Sequence, residues 1–235
     1  MKCVKLAGVV LLSVLFSASG FAQDSGFQSL VEGSSLEHWR MVPGHEGHWR
    51  AVDGMIDYDG KSKAKVKTDK ELYTRQWFHN FVFIFDWRFP DPSVEGLHRI
   101  TLPDGGFAKN PDGSSKRETK MSAGDSGIFL RGWEKLQVNL WCHEMGSGQL
   151  YGFQHDMSLP VEKRRTCVPK RNADKAPGEW NTMKITMIEN TIAIEVNGKV
   201  VIDNVQLPKL PYGGPLGLQH HGDHVQFRNM RIKEL

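Results

Sequence analysis

The stretch NTMKITMIENTIAIEVNGKVV, residues 181–201, restricts the fold more than any other part of the chain. Ile192, Ile194 and Val196 alternate with small or polar residues, and Met183, Ile185 and Met187 keep the same period of two. Such alternation buries one face of a strand, and Asn197-Gly198 supplies the positive-φ pair that a tight hairpin needs. Asp53-Gly54 repeats the device between HWRAV and MIDY, and NFVFIFDWRF, residues 80–89, is apolar on both faces like a central strand. Helical periodicity is almost absent. The expected fold is all-β, an antiparallel sandwich in one domain over residues 24–235. Two long stretches, 90–124 and 142–179, lack the strand pattern and read as loop insertions, either rims of a functional face or disordered.

The start of the chain has another purpose. Lys2 and Lys5 precede an apolar run from Leu6 to Phe16, and Gly20-Phe21-Ala22 offers small residues for cleavage. Residues 1–22 are therefore expected to be a signal peptide, with export to the periplasm or beyond. Their removal takes two lysines and no acid, lowering the formal net charge from +3 to +1. No basic stripe remains to bind nucleic acid, and no later apolar run approaches the length of a membrane span. Beyond Cys3 only Cys142 and Cys167 remain. In an oxidising compartment the even count favours a disulfide over two buried thiols.

Strand parity locates the polar face. If Ser126, Ile128 and Leu130 point inward, Gly127, Phe129 and Arg131 point outward; the same argument places Gln137, Asn139 and Trp141 opposite Leu136, Val138 and Leu140. Leu216 and Leu218 leave Gln219 and His221 outside, so His220 and His221 lie on opposite faces and do not chelate one metal together. The outward set of Arg131, Gln137, Asn139, Trp141, Gln219 and His221 suits a sugar, since amides bind hydroxyls in both senses and indole stacks on a pyranose. An ordinary wet face would carry more Lys, Glu and Thr.

Weaker candidates stand beside these. His45 and His48 have a metal-like spacing in a Gly-rich loop without further ligands. Asp86 and Arg88 most simply form a structural ion pair, or else line the end of the cleft. Tyr151 and Lys170 are candidate substrate contacts, and Trp180 is expected to pack under its strand. No nucleophile elbow, P-loop, dinucleotide fingerprint or H-E-x-x-H occurs, and the outward strands show no obvious pair of glycosidase carboxylates.

Taken in order, SLEHWR (35–40), DWRF (86–89), AGDSGIFLRG (123–132), QVNLWC (137–142), GSGQLYGF (146–153), PGEWN (177–181), NGKVV (197–201) and the terminal GLQHHG…VQFRNMRIKEL resemble the 3-keto-disaccharide hydrolase family. The resemblance covers roughly residues 26–235 and implies a concanavalin A-like jelly roll. It also implies hydrolysis or eliminative cleavage of glycosides oxidised at C3. Many members carry Glu-Val-Gln in the strand after the arginine, where this chain has Gln137-Val138-Asn139. A C3 ketone acidifies the C2 proton; its removal gives an enolate that expels the C1 substituent, and water can then add. The resemblance thus implies His221 as base, with His143 as second candidate, and Arg131 as oxyanion stabiliser. Gln137, Asn139 and Gln219 would hold hydroxyls over Trp141. A divalent metal is the alternative electrophile, with His143 and His221 as candidate ligands. The competing readings are a glycan-binding, lectin-like module on the same fold and a conventional glycosidase with acids from the loops.

Overall fold

The computed structural model describes residues 26–235, so the expected leader lies outside the described residues. In chain order the strands are β1 (Gln28–Ser29), β2 (Trp39–Arg40), β3 (Trp49–Val52), β4 (Met55–Tyr58), β5 (Leu72–Thr74), β6 (Phe81–Arg88), β7 (Val94–Arg99) and β8 (Arg117–Ser122). There follow β9 (Asp125–Phe129), β10 (Gln137–Trp141), helices α1 (Tyr151–Gln154) and α2 (Val161–Thr166), then β11 (Asn181–Ile188), β12 (Thr191–Val196) and β13 (Lys199–Gln206). The chain ends with β14 (Gly217–Leu218) and β15 (Val225–Glu234). The larger sheet runs β13-β12-β11-β6-β15-β4-β3, with β1 also on β15; the smaller runs β10-β9-β14-β5-β2. Every pairing is antiparallel, and the two sheets form a jelly-roll sandwich.

The core follows from alternation. On β6, Phe81, Phe83, Phe85 and Trp87 are buried while Val82, Ile84, Asp86 and Arg88 are only partly so. These rings meet Met183, Ile185 and Met187 of β11 and the buried Ile128, Val138, Leu140 and Leu218 of the smaller sheet in one cluster. At roughly 1.5–3 kcal/mol per large apolar side chain, β6 alone contributes several kcal/mol of burial. Both hairpin signals form turns with paired positive φ, 51° and 74° at Asp53-Gly54 and 50° and 74° at Asn197-Gly198.

Both expected irregular stretches are more ordered than their sequences suggest. Within 90–124, β7 and β8 pair from Val94↔Ser122 to Arg99↔Arg117. Their side chains are partly or fully exposed on both faces, so no apolar period marks them. Within 142–179, Leu150 bridges to Val138 beside β10, and the two helices follow. The insertions rest on each other: Arg99 Nη2 donates to the Tyr151 hydroxyl (3.0 Å), and Phe107 stacks on His155 at 4.1 Å. Among the described residues no helix is long and apolar enough to cross a membrane.

Candidate active site

The outer face of the smaller sheet carries the polar constellation. Register places Trp141 opposite Asp125, Asn139 opposite Gly127 and Gln137 opposite Phe129; Gly217 lies between Phe129 and Tyr73. Two residues along the same alternation bring Gln219 and Glu71 onto this face. Glycine is required at two of these positions, because a Cβ would fall 2.5 Å from Gln137 Nε2 at Gly127 and 2.5 Å from the Tyr73 ring at Gly217.

The amides form an oriented row. Gln137 Nε2 donates to both Asn139 Oδ1 and Gln219 Oε1 at 2.8 Å, and Asn139 Nδ2 reaches Gln149 Oε1 at 3.4 Å. Gln137, Asn139 and Gln149 are buried, so this order is held by packing. Gln219 Nε2 is left with no hydrogen-bond partner among the described residues, a donor available to a ligand.

Beside the row lies His221, whose side chain is 49% exposed. Its Nδ1 faces Asp223 Oδ2 at 3.5 Å and its Nε2 faces Asp125 Oδ2 at 3.8 Å. Asp223 Oδ2 also accepts the N–H of Asp125 at 3.0 Å, which fixes the carboxylate that orients the imidazole. The bond to Asp223 holds the imidazole above its usual pKa against the opposing effect of burial, with Asp125, Asp223 and Glu71 adding to the rise. Burial raises Asp125 to about 6, offset by His221 and reinforced by Asp223. Glu71, 7% exposed, accepts the His220 N–H; burial is the main cause raising it to about 7. His220 points the other way, to the Tyr58 hydroxyl.

The other expected residues take different places. Arg131 is not an oxyanion stabiliser: it sits in the turn after β9 at φ 50°, 4% exposed. Its guanidinium donates to the carbonyls of His79 (2.6 and 3.1 Å), Pro211 (2.6 Å) and Glu189 (2.9 Å). His143 stacks on Trp141 at 3.9 Å and meets His98 edge-on, and burial, with His98 and Lys120, pushes it down to about 4. It is a weak base, and it occupies one face of the indole expected to serve as sugar platform. Asp86 and Arg88 lie on the outside of the other sheet and do not pair: Asp86 takes Thr182, Asn229 and Arg228, while Arg88 donates to Gln226. Trp180 lies in that group, with Arg88 and Arg228 at 4.6 and 4.0 Å from its ring. Lys170 pairs with Asp203 on β13, and Tyr151 is occupied by Arg99. His45 is buried, its Nε2 on the Asp69 carbonyl, while His48 pairs with Asp59.

Cys142 and Cys167 are free thiols, not a disulfide: Cys167 is buried in the core at the end of α2, and Cys142 is half-buried at the end of β10. Among the described residues no three His, Cys, Asp or Glu side chains are grouped to hold a metal ion. His143 and His221 belong to no such group. The residues that sequence reasoning missed are Glu71, Asp125 and Asp223. Parity counted back from Gly127 reaches Asp125, and from Tyr73 it reaches Glu71; Asp223 lies past the strand end, where parity stops.

A sequence model of the 3-keto-alpha-glucoside-1,2-lyase-like domain matches residues 26–233. A 3-keto-disaccharide hydrolase of Bacteroides thetaiotaomicron is 23% identical over 245 residues, covering 89% of this chain and 79% of that one. Two candidate glycosyl hydrolases of Parabacteroides distasonis, known from crystal structures, share the sandwich. One has a TM-score of 0.57 at 23% identity, covering 90% of this chain and 84% of that one. The other has 0.54 at 19% identity, covering 89% and 94%.

Proposed function

This chain belongs to the 3-keto-alpha-glucoside-1,2-lyase-like family, a carbohydrate-active, glycosyl hydrolase-like group, and on that premise we propose that it cleaves glycosides bearing a ketone at C3. The observation that carries the reading is the His221–Asp223 pair set above Asp125 at the edge of the amide row. Asp223 accepts from Nδ1–H and leaves Nε2 to take the C2 proton. The electron pair moves toward the C3 oxygen, where Gln219 Nε2 is the free donor and takes the part first expected of Arg131. Collapse of the enolate expels the C1 oxygen, and water adding across C1 and C2 completes hydrolysis.

The test is to incubate pure protein with a glucoside and with its 3-keto derivative, each with and without chelator. Release from the 3-keto compound alone, unchanged by chelator, is expected. Release from the unoxidised glucoside would make this a conventional glycosidase. Binding of both without release would make it a lectin-like module.

A further inference from the structure

We propose that Glu71 is the acid that protonates the departing C1 oxygen, and that the leaving group lies over Tyr73 toward a cavity holding Trp77; this rests on the 3-keto reading above. Glu71 stands one residue before β5 and Gln219 one residue after β14, so the Gly217↔Tyr73 and Leu218↔Leu72 register continued by one step sets them opposite each other on the face of Tyr73. One carboxyl oxygen, Oε2, accepts the His220 N–H, which anchors the side chain where β5 and β14 part. The other, Oε1, takes no hydrogen bond from the described residues and is not sealed from solvent. The groups that act on Glu71 are Glu134, Lys67 and His221. Burial keeps a substantial fraction of it protonated near neutrality.

Beyond Tyr73 a cavity of about 520 Å³ is lined by residues that include Arg40, Tyr73, Trp77, Arg131, Glu134 and Pro215, with Trp77 70% exposed. That is room for a sugar ring, with an indole to stack on it. Glu71 thus stands between the base, His221, and the cavity that would take the aglycone.

The step balances without a co-reactant. His221 Nε2 gains the C2 proton, and the C2–H pair becomes a C2=C3 bond with the charge on the C3 oxygen. The carbonyl then re-forms, C1=C2 forms and the C1–O bond breaks. Its pair stays on the leaving oxygen, which takes the Glu71 proton. In hydration the Glu71 carboxylate removes a proton from water, its oxygen bonds to C1, and His221 returns the proton to C2. The net change is a 3-keto-glycoside plus water giving a 3-keto sugar plus an alcohol.

An alkoxide leaving group needs this acid, whereas p-nitrophenolate does not. The Glu71→Gln variant keeps an oxygen for the His220 N–H and so preserves the anchor. It should lose roughly 10²–10⁴-fold in kcat on methyl 3-keto-glucoside or a 3-keto-disaccharide, and less than about fivefold on p-nitrophenyl 3-keto-glucoside. Exchange of the C2 proton into deuterated water should persist in the variant. Equal losses on both substrates, or loss of exchange, would overturn the assignment of Glu71 while leaving the 3-keto reading intact. A wild type inactive on every 3-keto substrate would overturn that reading and this inference with it.

Discussion

Arg131 and His221 stand at the ends of neighbouring strands of the smaller sheet, and simple alternation assigns both to the same polar face. The structure separates them by what their nitrogens do. Arg131 is buried and spends its guanidinium on three backbone carbonyls that tie the β5–β6 connection, the β11–β12 turn and the segment before β14 together. His221 is half-exposed, with its ring nitrogens 3.5 and 3.8 Å from two carboxylates. Four of the five N–H donors of the buried arginine are taken by backbone carbonyls, which holds it in place as a tie between segments. An imidazole held by one carboxylate and open to solvent keeps its capacity for a proton. Residue type alone made both candidates; remaining hydrogen-bonding capacity distinguishes them.

Substituting each residue should therefore break different properties. The largest effect is expected from His221→Ala, with kcat on a 3-keto glycoside falling about 10²–10⁴-fold, C2 exchange falling in parallel, and the melting temperature nearly unchanged. A wild-type exchange rate in that variant would move the base elsewhere. Arg131→Ala should do the reverse. Three carbonyls lose their donors, so stability should fall by about 2–4 kcal/mol in urea unfolding, while turnover per folded molecule stays close to wild type on methyl 3-keto-glucoside, whose small aglycone does not need the cavity that Arg131 also lines. Loss of turnover in a folded Arg131→Ala protein would restore it as a candidate for the site.

The same contrast explains what the sequence could reveal. The two-sheet fold was legible because Met183, Ile185 and Met187, and the Ile192–Val196 run, bury one strand face and announce it with a period of two, while the apolar run over residues 80–89 marks the central strand. Gln137 and Asn139 were legible as the complement of that pattern, and Gln219 continues it by one residue through its N–H on the Gly127 carbonyl, whereas His221 lies three residues past the end of β14. The β7–β8 hairpin was not, since neither of its faces is packed into the core. Arg131 was misplaced because parity holds only while the strand lasts: Leu130 begins a 3-10 turn, and the positive φ at Arg131 swings its side chain away. Asp223 comes after the strand and joins the site through a loop, so no periodicity carries it there. Cys142 and Cys167 were paired from their number, which holds no information on which layer each enters.

The smallest of these effects concerns the cost of the site to the fold, and it sharpens the contrast with Arg131. Asp125, raised by burial from 3.8 to about 6, binds its proton more tightly in the folded than in the unfolded chain. Stability then falls as pH rises from about 4 to about 6 and is flat above, the opposite of an ion-paired carboxylate. Two pKa units correspond to about 3 kcal/mol, and the 27% of the side chain still in water reduces this to about 2 kcal/mol. His143 and His155, both pushed down to about 4, mainly by burial, impose the opposite slope over an overlapping range, while Asp174 and Glu71, raised mainly by burial to about 6 and about 7, impose the same one, so wild type alone does not isolate Asp125. The informative quantity is the stability of Asp125→Asn minus that of wild type, measured by urea unfolding at pH 4 and at pH 8. It should shift in favour of the asparagine variant by about 2 kcal/mol between those pH values. A difference independent of pH would show that Asp125 ionises like an ordinary surface carboxylate, and the acid beneath His221 would then carry no strain for the site to use.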